Sequence, residues 1–233
     1  GFPSHPHRGM QTLTYMKRGG IIHEDSQGNR GEIRGGGAQW MSAGRGVIHS
    51  EMPTVDTSGM HGFQIWINLP AAQKMGAPRY RDVPAAELAA QSAAGMTATA
   101  IAGDWQVGGL AGLRGPLSEL AERAAILDIE LAPGTGTGLR VHPDENLIVY
   151  VYEGALEAGG RRGDMLDLLV SGAGDELALV AGVAGASALV LRGQPIREPV
   201  AHYGPFVMNS SAEIEQAIRD YQSGQFLEEN ANG

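Results

Sequence analysis

The sequence predicts an all-β chain: two β-barrels in tandem with one helix at the C-terminus. Three observations carry that prediction. Glycine is abundant (35 of 233 residues) and recurs between short apolar runs, the punctuation of strands joined by tight turns. The run Leu147-Ile148-Val149-Tyr150-Val151-Tyr152-Glu153-Gly154 echoes Thr12-Leu13-Thr14-Tyr15-Met16-Lys17-Arg18-Gly19, as a diverged internal repeat would. Helical spacing stands out near the end of the chain, where Ser210-Ser211-Ala212-Glu213 reads as a capping box. Ile214, Ala217, Ile218 and Tyr221 then fall on one helical face, and Gly224 supplies a stop.

The first half reads as strands around Thr12–Lys17, Gly20–Glu24, Glu32–Ile33, Ala38–Ser42, Val47–Glu51 and Gly62–Asn68. Ser26-Gln27-Gly28-Asn29 suits a hairpin turn, and the Gly35-Gly36-Gly37 and Gly44-Arg45-Gly46 runs suit tight bends. Over residues 70–95 the character changes. Pro70, Pro78 and Pro84 precede an Ala-rich stretch, which predicts a linker with at most a short helix after Pro84. Strands resume at Thr97–Ala102, Ala125–Leu131, Asn146–Tyr152, Glu176–Val180 and Ala186–Leu191. The predicted domains are therefore residues 1–92, a first barrel plus linker, and residues 93–233, a second barrel plus the terminal helix. A candidate ligand already stands at position 5, so the first barrel is expected to lack its leading strands.

Composition limits the function classes. A net charge of −9 and a pI near 5.2 speak against a broad nucleic-acid-binding surface. No apolar run reaches the ~18 residues of a spanning helix. There are no cysteines, which excludes disulfides and thiolate metal sites and fits a cytoplasmic address. GxSxG, P-loop and dinucleotide fingerprints are absent.

Two short strings carry the chemistry: His5-Pro6-His7 and His49-Ser50-Glu51. On a strand, residues i and i+2 point to the same face. Two such strands side by side in a barrel would aim three imidazoles and one carboxylate at one point, a mononuclear metal site. That donor set suits Fe(II), Mn(II), Ni(II), Cu(II) or Zn(II) and leaves positions open for an anionic oxygen ligand and O2. Gln11, four residues after His7, is placed for a supporting hydrogen bond. His23 and His61 read as ordinary surface or internally satisfied histidines, and Arg45 as a structural arginine. Trp40, Phe63 and Trp66 suit core packing better than a ligand wall. The second half has no His-x-His or His-x-Glu; His142-Pro143-Asp144 comes nearest and reads as a turn.

These residues resemble the pirin family of bicupins. The matching stretches are Phe2-Pro3-Ser4-His5-Pro6-His7-Arg8-Gly9, His23-Glu24-Asp25-Ser26 with Gly28-Asn29, and Gln39-Trp40-Met41-Ser42-Ala43-Gly44-Arg45-Gly46 running into His49-Ser50-Glu51-Met52-Pro53. Phe63-Gln64-Ile65-Trp66-Ile67-Asn68-Leu69-Pro70 and His202-Tyr203-Gly204-Pro205-Phe206-Val207-Met208-Asn209 also match. The resemblance implies two cupin barrels of jelly-roll type, with metal in the N-terminal one only. It implies His5, His7, His49 and Glu51 as ligands, usually to non-haem iron, here Fe(II), with Mn, Ni, Cu and Zn as alternatives. Gln11 stands where general cupins and many pirin-like proteins carry Glu, which leaves Glu51 as the metal carboxylate. Two activities follow from the resemblance. One is quercetin 2,3-dioxygenase, which cleaves a flavonol with O2 and releases carbon monoxide, with Glu51 as ligand and proton acceptor. The other is a non-enzymatic, redox-responsive regulator that binds a transcription or metabolic partner protein without reading DNA directly.

Overall fold

The computed structural model describes residues 1–55, 59–88, 90–172 and 174–227. The chain is all-β apart from two α-helices among the described residues. It divides into two compact units: Gly1–Ala86 together with the chain from Ile196 onward, and Glu87–Pro195. No helix among the described residues is long and apolar enough to cross a membrane.

The first unit contains β1 (Phe2–His7), β2 (Met10–Arg18), β3 (Gly20–Asp25), β4 (Arg30–Arg34), β5 (Ala38–Ser42), β6 (Val47–Pro53), β7 (His61–Asn68), α1 (Ala71–Lys74) and β8 (Arg79–Val83). They build two four-stranded sheets in the orders β1-β6-β3-β4 and β7-β2-β5-β8, with every pair antiparallel. The sheets face each other as the walls of a jelly-roll barrel: Met16 of β2 shares one buried cluster with Ile21 of β3 and Ile33 of β4. The predicted turn at residues 26–29 is the β3–β4 hairpin. There the Asp25 side chain accepts from the backbone N–H groups of Gln27 and Asn29 at 2.9 and 3.0 Å, as Asp does in turns.

The region predicted as a linker holds more structure than expected. β8 pairs with β5 from Ala38↔Val83 to Ser42↔Arg79, and α1 precedes it. Flanking prolines and charged alternate residues disguise β8. Its inward face, Tyr80 and Asp82, is polar because it bonds the buried Gln39 amide at 2.7 and 2.9 Å.

The second unit contains β9 (Ala90–Ala93), β10 (Met96–Ala102), β11 (Asp104–Val107), β12 (Leu113–Arg114), β13 (Ala125–Leu131), β14 (Gly136–Arg140), β15 (Asn146–Ala158), β16 (Arg161–Asp164), β17 (Leu168–Val170) and β18 (Glu176–Gly193). One strongly curled sheet runs β12-β11-β14-β18-β13-β10-β9, with β15 pairing β16, β17 and β18. The two runs predicted as separate strands over 176–191 are one strand, β18, which pairs with β14 at one end and β13 at the other. Inside lies one apolar core, including Ala98, Leu127, Ile129, Leu139, Val151, Leu179, Ala188 and Val190.

The C-terminal segment continues with β19 (Ala201–Tyr203), β20 (Phe206–Met208) and α2 (Ser211–Ser223). The helix begins as the capping signal predicts: the Ser210 hydroxyl accepts from the Glu213 N–H. It ends at Gly224, whose φ of 80° is left-handed. Its attachment differs from the prediction, which placed it with the second barrel. Arg8, at the end of β1, is buried and holds it on the first unit. One guanidinium nitrogen donates to Asp220 of α2 at 2.6 Å, another to the Phe226 carbonyl at 3.2 Å, and Nε to the Arg45 carbonyl. The guanidinium also lies 4.4 Å from the Phe226 ring centroid. Gly9 makes room for this docking: at φ +79°, a Cβ there would stand 2.1 Å from the Val207 carbonyl oxygen. Lys74 is buried with its ammonium on the carbonyls of Gly9 and Val207, each at 2.8 Å, and on the Asn68 side chain. Such a long-range tie leaves no mark in local sequence pattern.

The Arg8–Asp220 pair is nearly dry, with side chains 5% and 16% exposed. Removing one partner of such a pair leaves an uncompensated buried charge. Asp220→Ala is therefore expected to destabilise the first unit by about 3 kcal/mol, seen as a lowered midpoint in urea unfolding followed by a probe in that unit.

Candidate metal centre

The antiparallel register builds the centre. His5 of β1 lies opposite His49 of β6. On the other flank of β6, His23 lies opposite Glu51 and Asp25 opposite His49. Along β6 burial alternates, with Val47, His49 and Glu51 inside, so the period of two aims both β6 candidates into the barrel.

Three imidazoles converge. His5 Nε2 is 3.1 Å from His7 Nε2 and 3.0 Å from His49 Nε2. Nitrogens about 2.1 Å from a shared ion and at right angles would stand about 3.0 Å apart, so this spacing matches one face of a metal's coordination sphere. Proton positions point the same way. His5 Nδ1 is 2.8 Å from the Pro3 carbonyl, which can only accept, so Nδ1 carries a proton and Nε2 is the nitrogen left for a metal. Burial foremost, then the neighbouring imidazoles, lowers the His49 pKa to about 2. Burial, then His5, lowers that of His7 to about 4, against a partial opposing effect of the Pro205 carbonyl. Both rings are therefore neutral at neutral pH. His7 Nδ1 is buried without a well-aligned hydrogen bond. Neutral, lone-pair-bearing nitrogens this close repel one another, and a divalent cation among them removes the repulsion. The donor set fits a metal.

Glu51 is placed differently from the three histidines. Its carboxylate groups with His49 and His23, not with His5 and His7. It accepts from Thr14 Oγ1 at 3.3 Å and from Gln64 Nε2 at 2.6 Å. It also borders an apolar cavity of about 250 Å³ with Phe2, Met16, Ile21 and Phe63. Both groups of three metal-ligating side chains among the described residues lie in the first unit.

Of the remaining candidates, Gln11 is buried in β2 and Trp40 is core. Trp66 is 44% exposed, with its ring edge-on to His7 at 5.3 Å. His61 packs edge-on against the Phe63 ring at 5.2 Å. His142 contacts the Asp144 carboxylate at an exposed position. His23 is the residue that sequence reasoning underrates. It is 1% exposed and its Nδ1 lies 3.3 Å from His49 Nδ1. A signal was present: His23-Glu24-Asp25 has the same i, i+2 spacing on a strand as the other two strings.

With this geometry in hand, the chain can be set beside known proteins. The Pirin family model matches residues 1–67, and the model for the pirin C-terminal cupin domain matches residues 126–227. The chain belongs to the pirin family. It is 47% identical over 227 residues to a Vibrio cholerae protein provisionally named as a quercetin 2,3-dioxygenase, covering 97% of this chain and 80% of that one. A pirin-like protein of Caulobacter vibrioides is 41% identical over 227 residues, with 97% and 80% covered. A crystal structure of a quercetin 2,3-dioxygenase from Acinetobacter baumannii superposes with a TM-score of 0.87 at 34% identity, covering 96% of this chain and 78% of that one. At 22% identity, the bacterial pirin YhhW of Escherichia coli, solved with nickel(II), shares the fold with a TM-score of 0.62 over 84% of this chain and 77% of that one.

In this pirin, His49→Ala is expected to abolish binding of divalent metal, measured as metal content after dialysis. One equivalent retained would overturn the ligand assignment. A metal held by these side chains would favour the folded barrel, which brings them together, over the unfolded chain. Free metal at a hundred times Kd is therefore expected to stabilise the first unit by about 2.7 kcal/mol and leave the second unit unchanged; unfolding with and without a chelator measures this.

Proposed function

We propose that this pirin is a dioxygenase that cleaves flavonols such as quercetin with O2 at a single divalent transition metal. His5, His7 and His49 would hold the metal beside Glu51; Fe(II) is the first choice, and Mn, Ni, Cu and Zn suit the same donors. The observation that carries the proposal is the position of Glu51, with His49 and His23 on one side and the apolar cavity on the other. The names of the Vibrio and Acinetobacter relatives point the same way.

When bound, the ion would supply a Lewis-acidic, redox-capable centre with positions open to an anionic oxygen ligand and O2. The chain's residues supply the rest. Phe2, Met16, Ile21 and Phe63 give the cavity apolar walls that favour a flat ring system and exclude water. Its ~250 Å³ lies just below the roughly 300–1,000 Å³ usual for small-molecule sites, which favours one compact molecule over a polymer. Gln64 holds one Glu51 oxygen firmly at 2.6 Å, while the other has only the 3.3 Å contact with Thr14. That second oxygen is the freer acceptor for a proton from a flavonol hydroxyl. A cysteine-free chain suits a cytoplasmic setting for this chemistry.

Carbon monoxide release from quercetin by metal-reconstituted protein is the direct test. No release from protein fully loaded in turn with Fe, Mn, Ni and Cu would overturn the enzyme and leave the partner-binding regulator. Glu51→Gln keeps the shape and removes the proton acceptor. It is expected to lower carbon monoxide release by about 10²–10⁴-fold while metal bound by the three histidines is retained.

A further inference from the structure

We propose that Asp25 and His23 form an orienting relay that fixes which nitrogen of His49 faces the metal position. The inference rests on the proposed metal centre and assigns a role to two residues that are not among its ligands.

The relay is a chain of contacts inside the barrel. His23 Nε2 is 3.1 Å from Asp25 Oδ2, with both side chains 1% exposed. His23 Nδ1 is 3.3 Å from His49 Nδ1, and His49 Nε2 is 3.0 Å from His5 Nε2. The Asp25 carboxylate can only accept, so His23 Nε2 carries a proton. A His23 ring holding that single proton presents a lone pair at Nδ1. Two ring nitrogens in contact need one proton between them, and it must come from His49 Nδ1. His49 is thereby left with its lone pair on Nε2, the nitrogen beside His5 Nε2. Without a partner on Nδ1 the ring could hold its single proton on either nitrogen, and the form with Nε2–H cannot ligate.

The relay is itself braced. The Asn29 side chain donates to both Asp25 oxygens at 2.9 and 3.1 Å, and the backbone N–H groups of Gln27 and Asn29 donate to Oδ1. From the opposite sheet the Tyr80 ring lies over His23, with centroids 4.7 Å apart and planes 31° apart. Gly31 on β4 lets Tyr80 and Asp82 approach: a Cβ there would meet the Tyr80 hydroxyl and the Asp82 carboxylate at 2.1 Å. A carboxylate or carbonyl on the far nitrogen of a ligating imidazole is the usual way to fix its tautomer. His5 uses the Pro3 carbonyl, and His49 would use a second imidazole. The competing arrangement is His23 as a ligand, in the group it forms with His49 and Glu51. That would require His49 to carry its proton on Nε2, beside His5 Nε2, and a lone pair on Nδ1.

The test has two arms on the full chain. In the first, long-range ¹H–¹⁵N spectra of the metal-free protein read the tautomers. The expected result is His49 protonated on Nδ1 and His23 on Nε2, with the His49 preference lost in His23→Leu. A wild-type His49 protonated on Nε2 overturns the relay. In the second, Ni(II) is titrated calorimetrically. The expected result is one equivalent in every protein and an affinity about 10–100-fold weaker in His23→Leu. His23→Asn, whose amide oxygen can accept from His49 Nδ1–H, should recover most of the loss. Unchanged affinity in His23→Leu, or two equivalents in the wild type falling to one, overturns the relay; the latter makes His23 a ligand. Absence of any binding to the wild type would defeat the metal centre instead, and the tautomer arm would still judge the relay. If His23→Leu does not fold, His23→Asn and Asp25→Asn decide: a weakened Asp25→Asn beside a near-normal His23→Asn supports the relay, and equal behaviour of both overturns it.

Discussion

Antiparallel pairing of β1 with β6, in the register that sets His5 opposite His49, decides where the polar groups of the first unit point. Side chains alternate along a strand, so a slip of one residue between β1 and β6 would put His5 and His7 on the opposite face from His49 and Glu51. The apolar partners pin the register. Val47 alternates with His49 and Glu51 on the buried face of β6, and Met41, Ala43 and Val47 form one buried cluster at the turn into that strand. The polar site and the packing that supports it are therefore alternating members of the same strands.

A barrel interior can be filled with apolar side chains or with a polar site, and the two units differ in this respect. Ala98, Leu127, Val151 and Val190 fill the second unit as parts of one apolar core. In the first unit His7, Gln11, Thr12, Thr14, His23, Gln39, His49 and Glu51 are all buried. Buried polar groups are costly unless paired, and the hydrogen bonds of Gln39 with Tyr80 and Asp82, of Asp25 with Asn29 and of Glu51 with Gln64 offset that cost. The three convergent Nε2 atoms face one another and not a donor, and the proposed cation would relieve their repulsion.

What the sequence made legible follows from how local each signal is. The i, i+2 spacing of His5/His7 and His49/Glu51 needs only strand geometry, and the helix cap at Ser210 needs only the next three residues. β8 was hidden because its inward residues are polar, for a reason that lies on another strand at Gln39. The docking of the C-terminal helix is not legible in the sequence, because its anchor, Arg8, is far away in sequence and looks like one more surface arginine. His23 with Asp25 was visible in the same spacing as the ligand strings. Its role is hard to read from sequence because a histidine beside a carboxylate usually satisfies itself, and its contact with His49 depends on β3 lying on the other side of β6.

Glu51 carries two proposed tasks that compete. A carboxylate bound to a divalent cation is held ionised and becomes a poorer base, because the nearby positive charge lowers its pKa. A carboxylate that serves as proton acceptor has to keep an oxygen free of the ion. The hydrogen bonds to Gln64 and Thr14 bear on this choice. The short bond to Gln64 Nε2 occupies one oxygen, and rotating Glu51 toward His5 and His7 would strain or break it. The placement of Glu51 with His49 and His23, at the cavity wall, therefore favours proton acceptance while the three imidazoles do most of the holding. On that proposed division of labour the histidines would set metal affinity and Gln64 would orient Glu51, so binding and chemistry would be tuned by different strands of the same barrel.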